Sequence, residues 1–141
     1  MWRAIENVLT TVKSDGIFYI AIYNKNERYV FEGTSRLWVS LKRIYNKSGY
    51  LIKKAMEFVY SAYFFLGLIS YGVNPFSYVK KYTSLRGMDF YTDIRDWLGG
   101  YPYEFASVDE VKSFFSKHNL ECEKTKEVRS IGCNELLFRK R

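Results

Sequence analysis

The run Ile17-Phe-Tyr-Ile-Ala-Ile-Tyr23 constrains this chain more than any other stretch. Its residues are all apolar or aromatic and mostly strand formers, which reads as a β-strand buried on both faces. Before it, Trp2, Ile5, Leu9 and Val12 recur at helical spacing, and Ser14-Asp15-Gly16 breaks that helix. Helix, tight turn and buried strand make an α/β signature, in which sheets are mostly parallel. A buried central strand needs neighbours, and the C-terminal part of the chain offers two. Residues 120–128 alternate in strand fashion, Ile131-Gly132 turns the chain, and residues 133–138 form a last strand. Ahead of them, Ser107-Val-Asp-Glu110 is a capping box that starts a helix over 107–118, with Val108, Val111, Phe114 and Phe115 on its buried face. His118 suits its C-terminal end, and Asn119 a left-handed stop.

The middle of the chain is different. Residues 25–33 are polar and loop-like. Leu37, Trp38, Leu41, Ile44 and Tyr45 then mark an amphipathic helix whose polar side carries Arg36, Lys42, Arg43 and Lys47. Residues 58–79 hold no charge, a length that can span a bilayer. Asn74-Pro75 interrupts the run, Glu57 abuts it, and tyrosines and serines dilute it, so a buried or interfacial helix is expected instead of a transmembrane span. Lys53, Lys54, Lys80 and Lys81 flank it, which suits a helix resting on an anionic membrane surface. The net charge of +7 has one source: residues 25–90 hold eleven basic and four acidic groups, and the rest of the chain is balanced. Such a block attracts nucleic acid, anionic lipid or phosphorylated substrates, or simply solubilises the surface.

A length of 141 residues allows one domain. Cys122 and Cys133 are too few for a disulfide framework and lack C-x-x-C spacing, as expected of reduced thiols in a cytoplasmic protein. One histidine and two scattered cysteines give no zinc pattern, so no metal is expected. The start, Met1-Trp-Arg-Ala-Ile-Glu, has no basic segment followed by an apolar run, so no secretory signal is visible.

The densest chemistry lies in residues 86–104. Asp89, Asp93 and Asp96 share one face of a helix. Trp97-Leu98 gives an apolar step, and Gly99-Gly100 admits positive φ and close backbone approach. Tyr101-Pro102-Tyr103 stiffens the exit toward Glu104. Acids, bare backbone and aromatics this close together suit a polar pocket with stacking walls. The competing reading is a helix with a solvated acidic face, stopped by its glycines.

Together these pieces resemble the C-terminal half of a class I S-adenosylmethionine-dependent methyltransferase. Gly16-Ile-Phe-Tyr-Ile-Ala-Ile-Tyr23-Asn24 and the helix before it look like the fifth strand and its preceding helix. Trp38-Val-Ser-Leu-Lys-Arg-Ile-Tyr-Asn46, Arg86-Gly-Met-Asp89, Asp96-Trp-Leu-Gly-Gly-Tyr-Pro-Tyr-Glu104 and Gly132-Cys-Asn-Glu135 have close counterparts in one bacterial branch. The resemblance covers nearly the whole chain. What has no counterpart is the glycine-rich loop after the first strand and the acid ending the second, which hold the cofactor in that family.

The resemblance implies an α/β fold: a partial Rossmann-like methyltransferase sheet of strands 5, 7 and 6, with residues 16–23 beside 132–139 beside 120–128 and the seventh strand antiparallel. It implies a single domain over 1–141, within which 25–105 is a helical insertion forming a lid. Ligands in open α/β sheets lie beyond the carboxyl ends of the parallel strands. Tyr23 and Asn24 would therefore face an acceptor. Arg86, Asp89, Asp96, Trp97, Gly99, Gly100, Tyr101, Tyr103 and Glu104 would complete its pocket, with Asp89, Asp96 and Glu104 the candidate general bases. The implied function is the acceptor-binding part of a methyltransferase acting on a small or lipid-like molecule, inactive alone. S-adenosylmethionine would serve the complete enzyme but not bind this chain by itself. Strand 16–23 would expose an edge where strand 4 is missing, inviting self-association or a partner polypeptide. Two non-catalytic alternatives are a basic module for nucleic acid and a peripheral subunit on an anionic membrane.

Overall fold

The computed structural model describes residues 1–28 and 32–141. In chain order the elements are α1 (Trp2–Leu9), β1 (Ile17–Asn24), α2 (Ser35–Lys47), α3 (Tyr50–Ser70), α4 (Pro75–Arg86), α5 (Phe90–Gly99), β2 (Phe105–Ala106), α6 (Val108–Lys117), β3 (Leu120–Lys126) and β4 (Cys133–Lys140). This is a mixed α/β chain. It divides into two units: Met1–Trp38 with Glu104–Arg141, and Val39–Tyr103.

The first unit carries a four-stranded mixed sheet in the order β2-β1-β4-β3. β4 runs antiparallel to both β1 and β3, while β2 runs parallel to β1. The order expected for residues 16–23, 132–139 and 120–128, with the last strand reversed, is the one observed. β1 itself differs from expectation. Its burial alternates: Phe18, Ile20 and Ile22 turn toward the core, while Ile17, Tyr19, Ala21 and Tyr23 stay exposed. It is therefore buried on one face, because α1 and α6 supply their apolar residues to one core cluster, through Ile5 and Leu9 and through Val111 and Phe115. In that cluster Phe115 stacks on Phe138 of β4 at 4.1 Å between ring centroids. The edge expected to lack any partner is also partly closed, since β2 pairs with Tyr23 and Asn24.

α1 stops at Leu9 and does not reach Val12, because the Thr10 and Thr11 hydroxyls donate back to the carbonyls of Asn7 and Val8. α6 has the expected capping box in both halves: Ser107 accepts from the Glu110 amide at 3.2 Å, and Glu110 accepts from the Ser107 amide at 2.8 Å. Phe115 is fully buried and Phe114 half-buried, packed on Trp2 and on His118, which caps the helix end.

The second unit is helical. Asn74 caps α4 by accepting from the Phe76 and Ser77 amides, with Pro75 at the first helical position, and Gly87 ends it at φ 77°. Phe90 of α5 is its aromatic centre, with Phe64, Phe65, Tyr82 and Tyr91 rings at 5.2–5.6 Å. Residues 58–79, expected to form a buried or interfacial helix, are divided at Asn74-Pro75 between α3 and α4, and no residue of α3 is buried. No single helix among the described residues is long and apolar enough to cross a membrane; α3 and α4 pass only as a pair, bent by 103°.

Candidate functional site

The motif expected to form a pocket instead closes around a lysine. On α2, Trp38, Lys42 and Tyr45 follow one another at i, i+4 and i+7, so they share a face. All three are buried, and Lys42 is only 1% exposed. The expectation that Lys42 lies on the solvated side of α2 is thus corrected, and the apolar Leu37 and Ile44 are exposed. The Lys42 ammonium lies 3.9 Å from the centre of the Trp97 ring and 5.0 Å from that of Tyr103, and donates to the Trp97 carbonyl. These contacts favour the charged amine, while burial pushes its pKa down to about 8.

Gly99 and Gly100 serve this packing. Neither has positive φ, contrary to expectation; Gly100 stands at φ −66°. Their use is space, since a Cβ on Gly100 would lie 3.1 Å from the Asp96 carbonyl and 3.5 Å from the Lys42 ammonium. Asn46 donates to the Gly99 carbonyl at 3.0 Å, and Arg43 donates to the Tyr101 hydroxyl at 3.3 Å. α2 therefore grips the whole turn.

The acids do not converge. Asp89 precedes α5 as its N-cap and accepts from the Thr92 amide at 3.0 Å. Asp93 accepts from the Tyr82 hydroxyl at 2.5 Å and from Arg86 at 3.2 Å. Burial and the Asp93 carboxylate push Tyr82 up to about 12. Asp96 is exposed on α5. Trp97 and Tyr103 wall Lys42, while Tyr101 is exposed. In the first unit, Glu104 accepts from the Met1 amino group at 2.6 Å. Asn24 ends β1 as expected, but its amide donates to the Val128 and Ser130 carbonyls at 3.1 Å and accepts from Asn134, so it fastens a loop. Tyr23 lies beside it on the exposed face of β1.

Among the described residues, two cavities, one in each unit, bear on a ligand. The first, about 640 Å³, lies at the carboxyl end of β1 and is mostly polar, with Asn24, Lys25, Ser107, Lys112 and Arg129 among its walls. The second, about 630 Å³, runs beside α3 and is mostly apolar, lined by Phe58, Phe65, Leu66 and Tyr91, with Lys54, Glu57 and Arg95 also in its wall. Glu57 anchors that charged group. It accepts from Tyr45 at 2.8 Å, Lys54 at 2.7 Å and Arg95 at 3.4 Å. Burial alone would raise its carboxyl, but these donors hold it below the ordinary range. Neither Lys42 nor Glu57 was a sequence candidate. The signal for Lys42 was its phase with Trp38 and Tyr45.

No family model, curated protein or solved structure matches the chain. Among the described residues no three His, Cys, Asp or Glu side chains are grouped to hold a metal ion.

Proposed function

We propose that the chain is the acceptor-binding part of an S-adenosylmethionine-dependent methyltransferase, with a partial Rossmann-like sheet and a helical insertion. The observation that carries this reading is the strand order β1-β4-β3 with β4 reversed. It is the 5-7-6 order that the resemblance implies, and local strand propensity alone does not dictate it. Support also comes from the polar cavity at the carboxyl end of β1, where open α/β sheets take their ligands.

Methyl transfer to oxygen or nitrogen is an in-line displacement at a sulfonium methyl. The protein aligns the acceptor and excludes water. The apolar groove beside α3 suits a small or lipid-like acceptor, its tail along Phe58 and Phe65 and its polar end near Glu57 and Arg95. Glu57 thereby joins Asp89, Asp96 and Glu104 as a candidate base, and it borders this groove. S-adenosylmethionine would be held by strands and a glycine-rich loop that this sequence does not contain. The open part of the β1 edge, residues 17–22, is where those strands would add, whether from a partner polypeptide or, in their absence, by self-pairing. The reading is cytoplasmic, peripheral to a membrane where the acceptor is lipid-like.

The test has two parts. Isothermal titration of the chain with S-adenosylmethionine is expected to give no useful binding; micromolar binding would overturn this account. Fused behind the glycine-loop half of a class I methyltransferase, the chain is expected to support methyl transfer to an alkylphenol, with loss of activity in Glu57→Gln. A folded fusion that binds cofactor but methylates no acceptor in an alkylphenol and alkylamine series refutes the reading.

A further inference from the structure

α3 is apolar on two sides: Phe64 and Phe65 pack inward on Phe90, and a second apolar stripe faces out. Successive residues of a helix turn by about 100°, so its 21 residues present two long faces. Lys53, Lys54, Glu57 and Ser61 fall on one, and all are at least partly covered. Leu51, Val59, Tyr63, Leu66 and Ile69 fall on the other half of the helix, with Phe58 at its margin beside Lys54, and all six are exposed. Leu51 is 81% exposed, Phe58 74% and Leu66 67%. A surface helix in water normally does the reverse, turning its apolar stripe inward and its charges out. The stripe carries no charged residue over a rise of roughly 30 Å, a patch larger than isolated surface hydrophobics account for.

What lies at its ends identifies the surface it fits. Exposed aromatics frame the stripe, Tyr50 at the start of α3 and Tyr71 and Phe76 just past its end. Exposed cations continue outward, Lys47 before α3 and Lys80 and Lys81 on α4. Exposed rings and lysines beside an uncharged apolar stripe suit the interface of an anionic bilayer, where the stripe meets acyl chains, the rings sit at headgroup level and the lysines meet anionic lipid. α3 does not continue as a straight span, because Asn74 and Pro75 cap a new helix turned by 103°. A helix pair with so sharp a bend suits a place along the membrane surface.

We propose that the outward stripe of α3, with Lys80 and Lys81 of α4, docks the chain on an anionic lipid bilayer as an interfacial helix. The inference stands on α3 and α4 and does not require methyl transfer, although Phe58 and Leu66 also line the apolar groove. It is tested by flotation of the full chain with phosphatidylcholine vesicles, with and without phosphatidylglycerol, at low and high salt. The chain is expected to float with anionic vesicles and to be released in part by salt. Leu66→Glu should lower binding on the order of tenfold or more by placing a charge in the buried stripe. Lys80→Glu with Lys81→Glu should weaken anionic vesicle binding by a comparable factor while leaving the residual binding to neutral vesicles unchanged. Both variants are checked for folding by circular dichroism, their positions being solvent-facing. A folded chain that does not float would overturn the proposal, as would Leu66→Glu floating like the parent. So would a vesicle-free dimer that Leu66→Glu converts to monomer, since a second copy would then cover the stripe.

Discussion

Replacing Lys42 with methionine removes a buried charge while keeping the side chain's length, and the pH dependence of that change can be worked out. Burial lowers the amine from 10.5 to about 8 in the folded chain. Below about pH 8 both states are protonated, and folding carries the cost of burying the charge. Between about 8 and 10.5 the unfolded state holds the proton and the folded state does not, so stability rises with pH across that window. The full displacement corresponds to roughly 3 kcal/mol. That is a ceiling, because the Trp97 and Tyr103 rings and the Trp97 carbonyl stabilise the charged form. A gain of about 1–3 kcal/mol for the parent relative to Lys42→Met, on going from about pH 7 to about pH 10, is therefore expected. Urea unfolding of both proteins across that range measures it. Titrations common to both cancel in the difference, including the tyrosines Tyr45, Tyr60 and Tyr82, whose pKa values are pushed up to about 12. A flat difference, or one that falls as pH rises, would refute the account of Lys42 as a desolvated amine.

Three further outcomes are expected. Ser107→Ala should cost about 0.5–2 kcal/mol in urea or thermal unfolding, since it opens one half of the α6 capping box; an unchanged midpoint would count against the cap. Asn134→Ala should cost about 1–3 kcal/mol, because the fully buried Asn134 accepts from the Val128 amide at 2.9 Å and donates to Asn24. Light scattering should find the chain associated through the open part of β1, and Ile17→Lys, on the exposed face beside that edge, should shift it toward monomer. Ile20 would be a poor probe, because it packs against the core. A monodisperse parent monomer refutes this last expectation.

The elements whose signals are local were legible from the residues. The α6 capping box needs only Ser107 and Glu110 at the right spacing, and Asn119 takes the expected positive φ of 62°. The sheet order was legible only through the resemblance, because pairing partners more than a hundred residues apart leave no mark on composition. β1 was misread because seven apolar residues in a row hide the alternation that distinguishes one buried face from two. The Asp89, Asp93 and Asp96 spacing was real, but one residue became a cap, one met a tyrosine and an arginine, and one stayed in solvent. Spacing tells which side chains share a helix face. It does not tell whether that face meets a cavity.

Glu57, together with Phe64 and Phe65, fixes the rotation of α3, which the sequence conceals. A helix with apolar residues all round has no phase that hydrophobic periodicity can detect. Its rotation is then set by the contacts its inner face makes. In α3 these are the packing of Phe64 and Phe65 on Phe90 and the hydrogen bonds of Glu57, the sole acid of the helix, with Tyr45 on α2, Lys54 on α3 itself and Arg95 on α5. Turning Glu57 to solvent would break the contacts to Tyr45 and Arg95 and leave Lys53 and Lys54 displaced as well. Exposing leucines to water costs about 1.5–3 kcal/mol each, a cost that falls only while the stripe is bare. Contact with a bilayer removes it and leaves the Glu57 network intact. The outward stripe that is poor in water is therefore favourable at an apolar surface, while the Glu57 hydrogen bonds and the packing of Phe64 and Phe65 on Phe90 hold the inner face.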